Sequence, residues 1–321
     1  MRAFVTGGHG FLGAELVRQL RQEGHEATAA SRQSGVDILD RAALTEAMVG
    51  HDVVFHVAAK AGVWGPAADF VAANVTGTEN VLAAARAAGV GRLIYTSSPS
   101  VVFDGRDHLD AGNDLPYPSR WLADYPRTKA LAEQLVLGAN SASLRTVALR
   151  PHLIYGPGDP HLLPRLLARA RARRLRIVGK GDNRVSLTYV KNAAAAHLQA
   201  AIALAEPDSH AAGRAFFVND EEPVLLWEWL GEVFAGMAIA PVRGHVPAAL
   251  AYALGGAAEW VWRTFSLGGE PPMTRFVARQ LATSHTYSLQ PARAAFGYAP
   301  PVAGAVALAE TLGWLKAEAS A

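Results

Sequence analysis

Tyr125 and Lys129 lie four residues apart in "DYPRTKALAEQ" (124–134). On a helix that spacing puts both side chains on one face. An ammonium beside a phenol favours the phenolate and lowers the tyrosine pKa toward working pH. Tyr125 is therefore expected to give a proton to a ketone, or to take one from an alcohol. The pair gains weight from "YTSSPS" (95–100), which closes a strand-like run. Ligands bind at such carboxyl ends in parallel sheets. Ser97 or Ser98 would donate a hydrogen bond to the same substrate oxygen.

A second constellation is "TGGHGFLG" (6–13), with Gly7, Gly10 and Gly13 spaced G-x-x-G-x-x-G between a strand and a helix. One glycine permits the tight turn, one admits a pyrophosphate to the backbone, and one lets helix and strand pack closely. The helix start offers free N–H groups and positive dipole to phosphates. An acid at the end of the second strand would hold the ribose 2′-hydroxyl of NAD. Here "AASRQS" puts Ser31 and Arg32 in that place. A guanidinium suits a 2′-phosphate, so NADP(H) is favoured and NAD(H) is the alternative.

Positioning these groups needs a regular scaffold. Segments 2–6, 25–30, 52–58, 92–97 and 143–150 read as strands, rich in Val, Ile, Phe and Thr and apolar throughout, as strands buried on both faces are. Segments 11–23, 41–49, 68–88 and 122–138 carry helical periodicity. The alternation predicts an α/β fold, a Rossmann-type doubly wound parallel sheet. After Arg150 the Pro- and Gly-dense "RPHLIYGPGDP" reads as a site-forming loop. A basic amphipathic stretch (161–174), short β-like runs near 175–178 and 185–190, a helix at 191–205 and a strand at 215–218 follow. From about 223 the chain reads as mostly helical. The expected division is a dinucleotide-binding domain, 1–155 plus 186–222, and a smaller, mostly helical C-terminal substrate domain, 156–185 plus 223–321.

The 321 residues are half hydrophobic and 18% charged, which suits a globular chain with a large core. A net charge of +2 gives no case for nucleic acid. With no cysteine, disulfides and thiolate chemistry are excluded, and the eleven histidines show no paired metal spacing. "MRAFVTGG" enters a strand at once, so no secretory signal is expected and the cytoplasm is the default compartment.

The order of "TGGHGFLG", "HVAAKAG" (56–62), "NVTGTENVL" (74–82), "YTSSPSVVF" (95–103), "YPRTK" and "LRPHLIYGPGD" (149–159) resembles the extended short-chain dehydrogenases/reductases (the NAD-dependent epimerase/dehydratase superfamily) nearly end to end. "TSSPSVVF", "GDNRVSLTYVKNAAAAH" and "YSLQPARAAFGYAP" are similar to its 3β-hydroxysteroid dehydrogenase-like branch. "AKAGVWGP", "GPGDPHLLPRL" and "GEPPMTRFVARQL" further resemble bacterial NADPH-dependent 2-alkyl-3-oxoalkanoate reductases of olefin biosynthesis. The resemblance implies that Ser98 orients substrate, that Tyr125 is the acid/base, and that Lys129 also holds the nicotinamide ribose. It implies cofactor contacts along the turn Gly7, His9, Gly10, Phe11, Leu12 and Gly13, at Ser31 and Arg32, and at Asp37 and Ile38 beside adenine. Ala58, Ala59 and Lys60, then Thr96, and finally Pro151 and Leu153 complete the lining, with Asn74 in support. Lys191 departs from the aspartate that relatives often carry in "YVDN".

Three features read more plainly. His152 is expected to bond backbone. The arginines of 165–176 read as a solvated helix face, with an anion-attracting rim as the sharper alternative. Segment 246–265 reads as a lid or core helix, with weak contact on a membrane surface as the second reading. The expected partner is a hydrophobic small-molecule substrate, and a homodimer is compatible. The expected activity is NADP(H)-dependent reduction of a 2-alkyl-3-oxoalkanoate. A 3β-hydroxysteroid dehydrogenase is the alternative, followed by a nucleotide-sugar epimerase or dehydratase and a non-catalytic cofactor-sensing protein.

Overall fold

The structure is a computed structural model and describes residues 1–320. Six parallel strands form the main sheet: β1 (Arg2–Thr6), β2 (Glu26–Ala30), β3 (Val53–His56), β4 (Arg92–Thr96), β5 (Arg145–Pro151) and β6 (Arg214–Val218). Their order is β6-β5-β4-β3-β1-β2. The chain leaves β1 toward β2, then crosses back to β3 on β1's other side. This reversal leaves a crevice outside the carboxyl ends of β1 and β3. The doubly wound sheet expected from the alternation is therefore present.

Side-chain alternation sends each strand's residues to two cores. Ala3, Val5, Val53, Phe55 and Ile94 meet Leu16 and Leu20 of helix Phe11–Gln22. Phe4, Val54 and Leu93 meet Leu44, Met48 and Val81 on the opposite face. Leu16 and Leu20 are fully buried, so truncating either to alanine should cost about 2–5 kcal/mol. Asp40 caps helix Arg41–Met48, its carboxylate accepting the Ala43 N–H at 3.0 Å. The periodic stretch predicted over 68–88 is helical but interrupted by a π-turn, Val71–Thr76, between helices Ala67–Phe70 and Gly77–Ala87.

Beyond β5 the chain builds helices Leu162–Arg171, Leu226–Gly236, Ala248–Thr264, Arg275–Ala282, Gln290–Phe296 and Gly304–Ser320. It also contains a small four-stranded sheet that the sequence reading did not anticipate. Its order is Val224–Leu225, Arg184–Val185, His285–Tyr287, His108–Ala111. Strands of two to four residues, such as "HTY" and "HLDA", are too short to show a period. This sheet ties the segment running on from Ser98 to the C-terminal region.

Helix Ala248–Thr264 packs through Ala251, Gly255 and the buried Glu259. Its other side exposes Leu250, Leu254 and Trp260. No helix among the described residues is long and apolar enough to cross a membrane.

Candidate active site

The carboxyl ends of β1 and β3 meet at the glycine turn. Gly7 has φ +68°, and a Cβ there would lie 2.9 Å from the Ala58 backbone. At Gly13 a Cβ would lie 2.1 Å from the Gly7 carbonyl oxygen. Only glycine permits this approach of helix to turn. Gly10 begins helix Phe11–Gln22 with no side-chain cap, so the first N–H groups remain available to an external acceptor. The backbone cradle and free helix start fit a dinucleotide pyrophosphate.

A cavity of about 460 Å³ opens beside this turn. It brings together Gly7, Ser31, Arg32, Asp37, Ile38, Ala58, Ala59 and Lys60 from the expected set. Thr6 and Ala30, which lie within the glycine-turn and strand-end motifs, also line it, as do Val36, Leu39, Asp69, Ala72 and Ala73, which no motif contained. Arg32 is exposed, and its guanidinium has no hydrogen-bond or ion-pair partner among the described residues. The Ser31 hydroxyl meets His9 Nδ1 at 2.9 Å, while Lys60 pairs with Asp69 at 2.7 Å. Leu12 turns its side chain into the core, leaving only its backbone toward the turn. Phe11 reaches toward Gly158 instead.

A buried histidine fixes the floor of this cavity. Thr78 donates its hydroxyl proton to the Asn74 carbonyl (2.6 Å), so it accepts from His56 Nε2 (2.9 Å). His56 Nδ1 then accepts from Thr6 Oγ1 (2.8 Å), which in turn accepts the Ala58 N–H (3.2 Å). Burial pushes the His56 pKa down to about 3, and Lys129 nearby adds to the shift. Asn74, buried in the π-turn, accepts the Lys60 N–H at 2.7 Å and donates to Thr128 Oγ1 at 3.0 Å. Thr128 bonds the carbonyls of Asp124 and Tyr125. The strand-end segment Ala58–Lys60 is thus tied to the helix that carries Tyr125. π-turns recur at functional sites for this kind of local re-aiming.

Helix Asp124–Gly138 carries Tyr125 and Lys129 against the end of β4. Ser97 is buried, with no hydrogen-bond partner for its hydroxyl. Ser98 is half-buried and caps the 3₁₀ turn Pro99–Val102, accepting from Ser100 N at 3.2 Å. Burial separates the two serines left open by the motif: Ser97 is enclosed, while the Ser98 hydroxyl is the one that acts on the Tyr125 phenol.

The expectation for the tyrosine pKa needs correcting. Desolvation raises the Tyr125 phenol above its ordinary value, and the nearby Ser98 hydroxyl only partly opposes this. Lys129 does not depress it, because its ammonium donates to the Thr96 carbonyl at 2.5 Å and lies 4.1 Å over the Tyr95 ring. Burial brings Lys129 itself down to about 7, against the raising effect of Glu133.

Thr96 uses its hydroxyl elsewhere, on His197 Nε2 at 2.8 Å. Pro151 ends β5 beside β6, and Leu153 adopts φ +45° in the loop beyond. His152 donates from Nδ1 to the Ser186 carbonyl at 2.6 Å, the backbone bond expected of it. Most arginines of 165–176 are exposed, and Arg165 pairs with Glu270.

This strand order, reversing at β1 and β3 over a glycine turn, is that of doubly wound sheets that bind dinucleotides at the switch point. The chain is an NAD(P)-dependent oxidoreductase of the extended short-chain dehydrogenase/reductase type, acting on CH–OH groups. Residues 4–241 match the 3-beta hydroxysteroid dehydrogenase/isomerase family, and the chain belongs to it. It is 46% identical to a 2-alkyl-3-oxoalkanoate reductase from Stenotrophomonas maltophilia, over 100% of both chains. It is 34% identical to the decarboxylating sterol-4-alpha-carboxylate 3-dehydrogenase of Mus musculus, over 93% of this chain and 86% of that one. Among solved structures, the fold is shared with UDP-glucuronic acid 4-epimerase from Bacillus cereus in complex with NAD. That likeness has a TM-score of 0.73 and 20% identity, over 99% of each chain.

Proposed function

We propose that this protein reduces the ketone of a 2-alkyl-3-oxoalkanoate, with NADPH as the preferred cofactor. The observation that carries the reaction is the placement of Tyr125, at the start of helix Asp124–Gly138, and half-buried Ser98, just beyond the end of β4, with the phenol held above its ordinary pKa by desolvation. A phenol that keeps its proton at neutral pH starts as an acid, which suits reduction. Ser98 holds the ketone oxygen, and Tyr125 delivers its proton to that oxygen. Lys129, one helical turn on from Tyr125, donates to the Thr96 carbonyl at the end of β4 and so fixes the helix against the strand end that leads to Ser98. Gly7, Gly10 and Gly13 would hold the pyrophosphate, and Ala58–Lys60 and Asn74 would border the cofactor. The bound nicotinamide supplies the hydride.

Arg32 supports NADP(H), because an unpaired guanidinium lines the cavity where no carboxylate ends β2. The likeness to a 2-alkyl-3-oxoalkanoate reductase over the full length supports the substrate. A 3β-hydroxysteroid is the second reading, favoured by the sterol-dehydrogenase relative. Exposed Leu250, Leu254 and Trp260 would make any weak membrane contact.

Tyr125→Phe keeps the ring and deletes the proton. Turnover of a 3-oxo acid should fall by about 10²–10⁴, with NADPH affinity little changed. Near-normal turnover in that variant would remove Tyr125 from the mechanism.

A further inference from the structure

We propose that Arg279 anchors the carboxylate of the substrate and so selects acids over neutral ketones. The assignment rests on the 3-oxo acid reading. Arginines around it already have partners. Arg275 pairs with Glu259 at 2.7 Å, Arg165 with Glu270, and Arg293 with Glu221. Arg263 lies over Trp64 in a recess shared with Asp124 and Glu259.

Arg279 differs from all of these. It is half-buried on helix Arg275–Ala282, with its guanidinium 4.8 Å over the Tyr252 ring. Among the described residues, no carboxylate lies within ion-pair distance of it, and none of its five N–H donors has an acceptor. A guanidinium held over a ring face with no acceptor on its N–H groups is open to take a carboxylate bidentately.

The place is also right. A Cβ at Gly105 would lie 3.7 Å from Arg279 Cγ and 3.7 Å from Leu122 Cδ1. Gly105 follows Ser98 by seven residues and Leu122 precedes Tyr125 by three. One turn back, Phe276 packs edge-on against Phe103 at 6.0 Å. The arginine stem thus sits where the segment leaving Ser98 meets the segment entering Tyr125. A 3-oxo acid carries its carboxylate two bonds from the ketone carbon, so its anchor must lie beside the groups that hold the ketone.

The test compares a long-chain 3-oxo acid with its methyl ester, by NADPH oxidation in the whole enzyme. A hydrogen bond to a charged group contributes enough to give wild type an acid-over-ester preference of about 10- to 100-fold in kcat/KM. In Arg279→Met that ratio should collapse toward one, and Arg279→Lys should keep an intermediate value. A purely structural role would lower both substrates together and leave the ratio standing. An unchanged ratio in Arg279→Met, or no acid preference in wild type, overturns the anchor while the reductase reading survives. Failure of wild type to reduce either compound overturns both.

Discussion

Acid should unfold this protein over an unusually narrow pH range. His56 and His152 are held near pKa 3, and His197 and His285 near 4, each chiefly by burial. All four therefore stay neutral in the fold while the unfolded chain takes up protons below its ordinary value of about 6.5. The folded values lie below the unfolded one, so stability is full above about pH 6.5 and falls as pH drops toward 4. Unfolding should bind about two protons through these groups at pH 6.5 and nearly four at pH 5. Each contributes about 1.4 kcal/mol per pH unit once well below 6.5, so the slope approaches roughly 5 kcal/mol per unit. That equals the whole stability of many domains within one or two units. Asp220, raised by burial, offsets at most one of these protons. Urea unfolding at pH 7, 6 and 5 gives the slope, and His197→Gln should reduce the proton count by about one. A slope corresponding to fewer than one proton would refute the reasoning. Activity should fail in the same window, since His56 supports Ala58, His197 holds Thr96 and His152 follows Pro151.

Two substitutions test the cofactor cleft. Arg32→Ala should raise the KM for NADPH by about 10-fold or more while leaving that for NADH nearly unchanged. Equal use of both cofactors by wild type, unaffected by the substitution, would contradict the role given to Arg32. Gly13→Ala must move backbone, because the new Cβ meets the Gly7 carbonyl at 2.1 Å. It should cost about 1–3 kcal/mol of stability, read by urea unfolding, and weaken cofactor binding in titrations more than any solvent-facing alanine of the same helix.

The glycine turn and the parallel sheet were legible because each rests on local chemistry repeated at a fixed spacing. Gly13 had to be glycine for a steric reason that G-x-x-G-x-x-G already encodes. Ser97 and Ser98 could not be separated by spacing, since the choice depends on which hydroxyl β4 buries. The direction of the Tyr125 shift was misjudged for a related reason. The Y-x-x-x-K spacing places the lysine on the right face, but the Thr96 carbonyl takes its ammonium. Asn74 was placed as a cofactor support, yet its tie to Thr128 spans 54 residues and no local pattern announces it. The strands His108–Ala111 and His285–Tyr287 escaped because they are short and their pairing is long-range.

The central claim is that a flexible, apolar 3-oxo acid is the substrate. Steady-state NADPH oxidation over a chain-length series of 2-alkyl-3-oxo acids, beside a 3-ketosteroid, tests it most directly. Each buried methylene is worth about 0.8 kcal/mol, so kcat/KM should rise about fourfold per carbon for as long as each added carbon is buried. The longest acids should then exceed the steroid. A flat profile, or a steroid turned over far faster than every acid, would contradict the account.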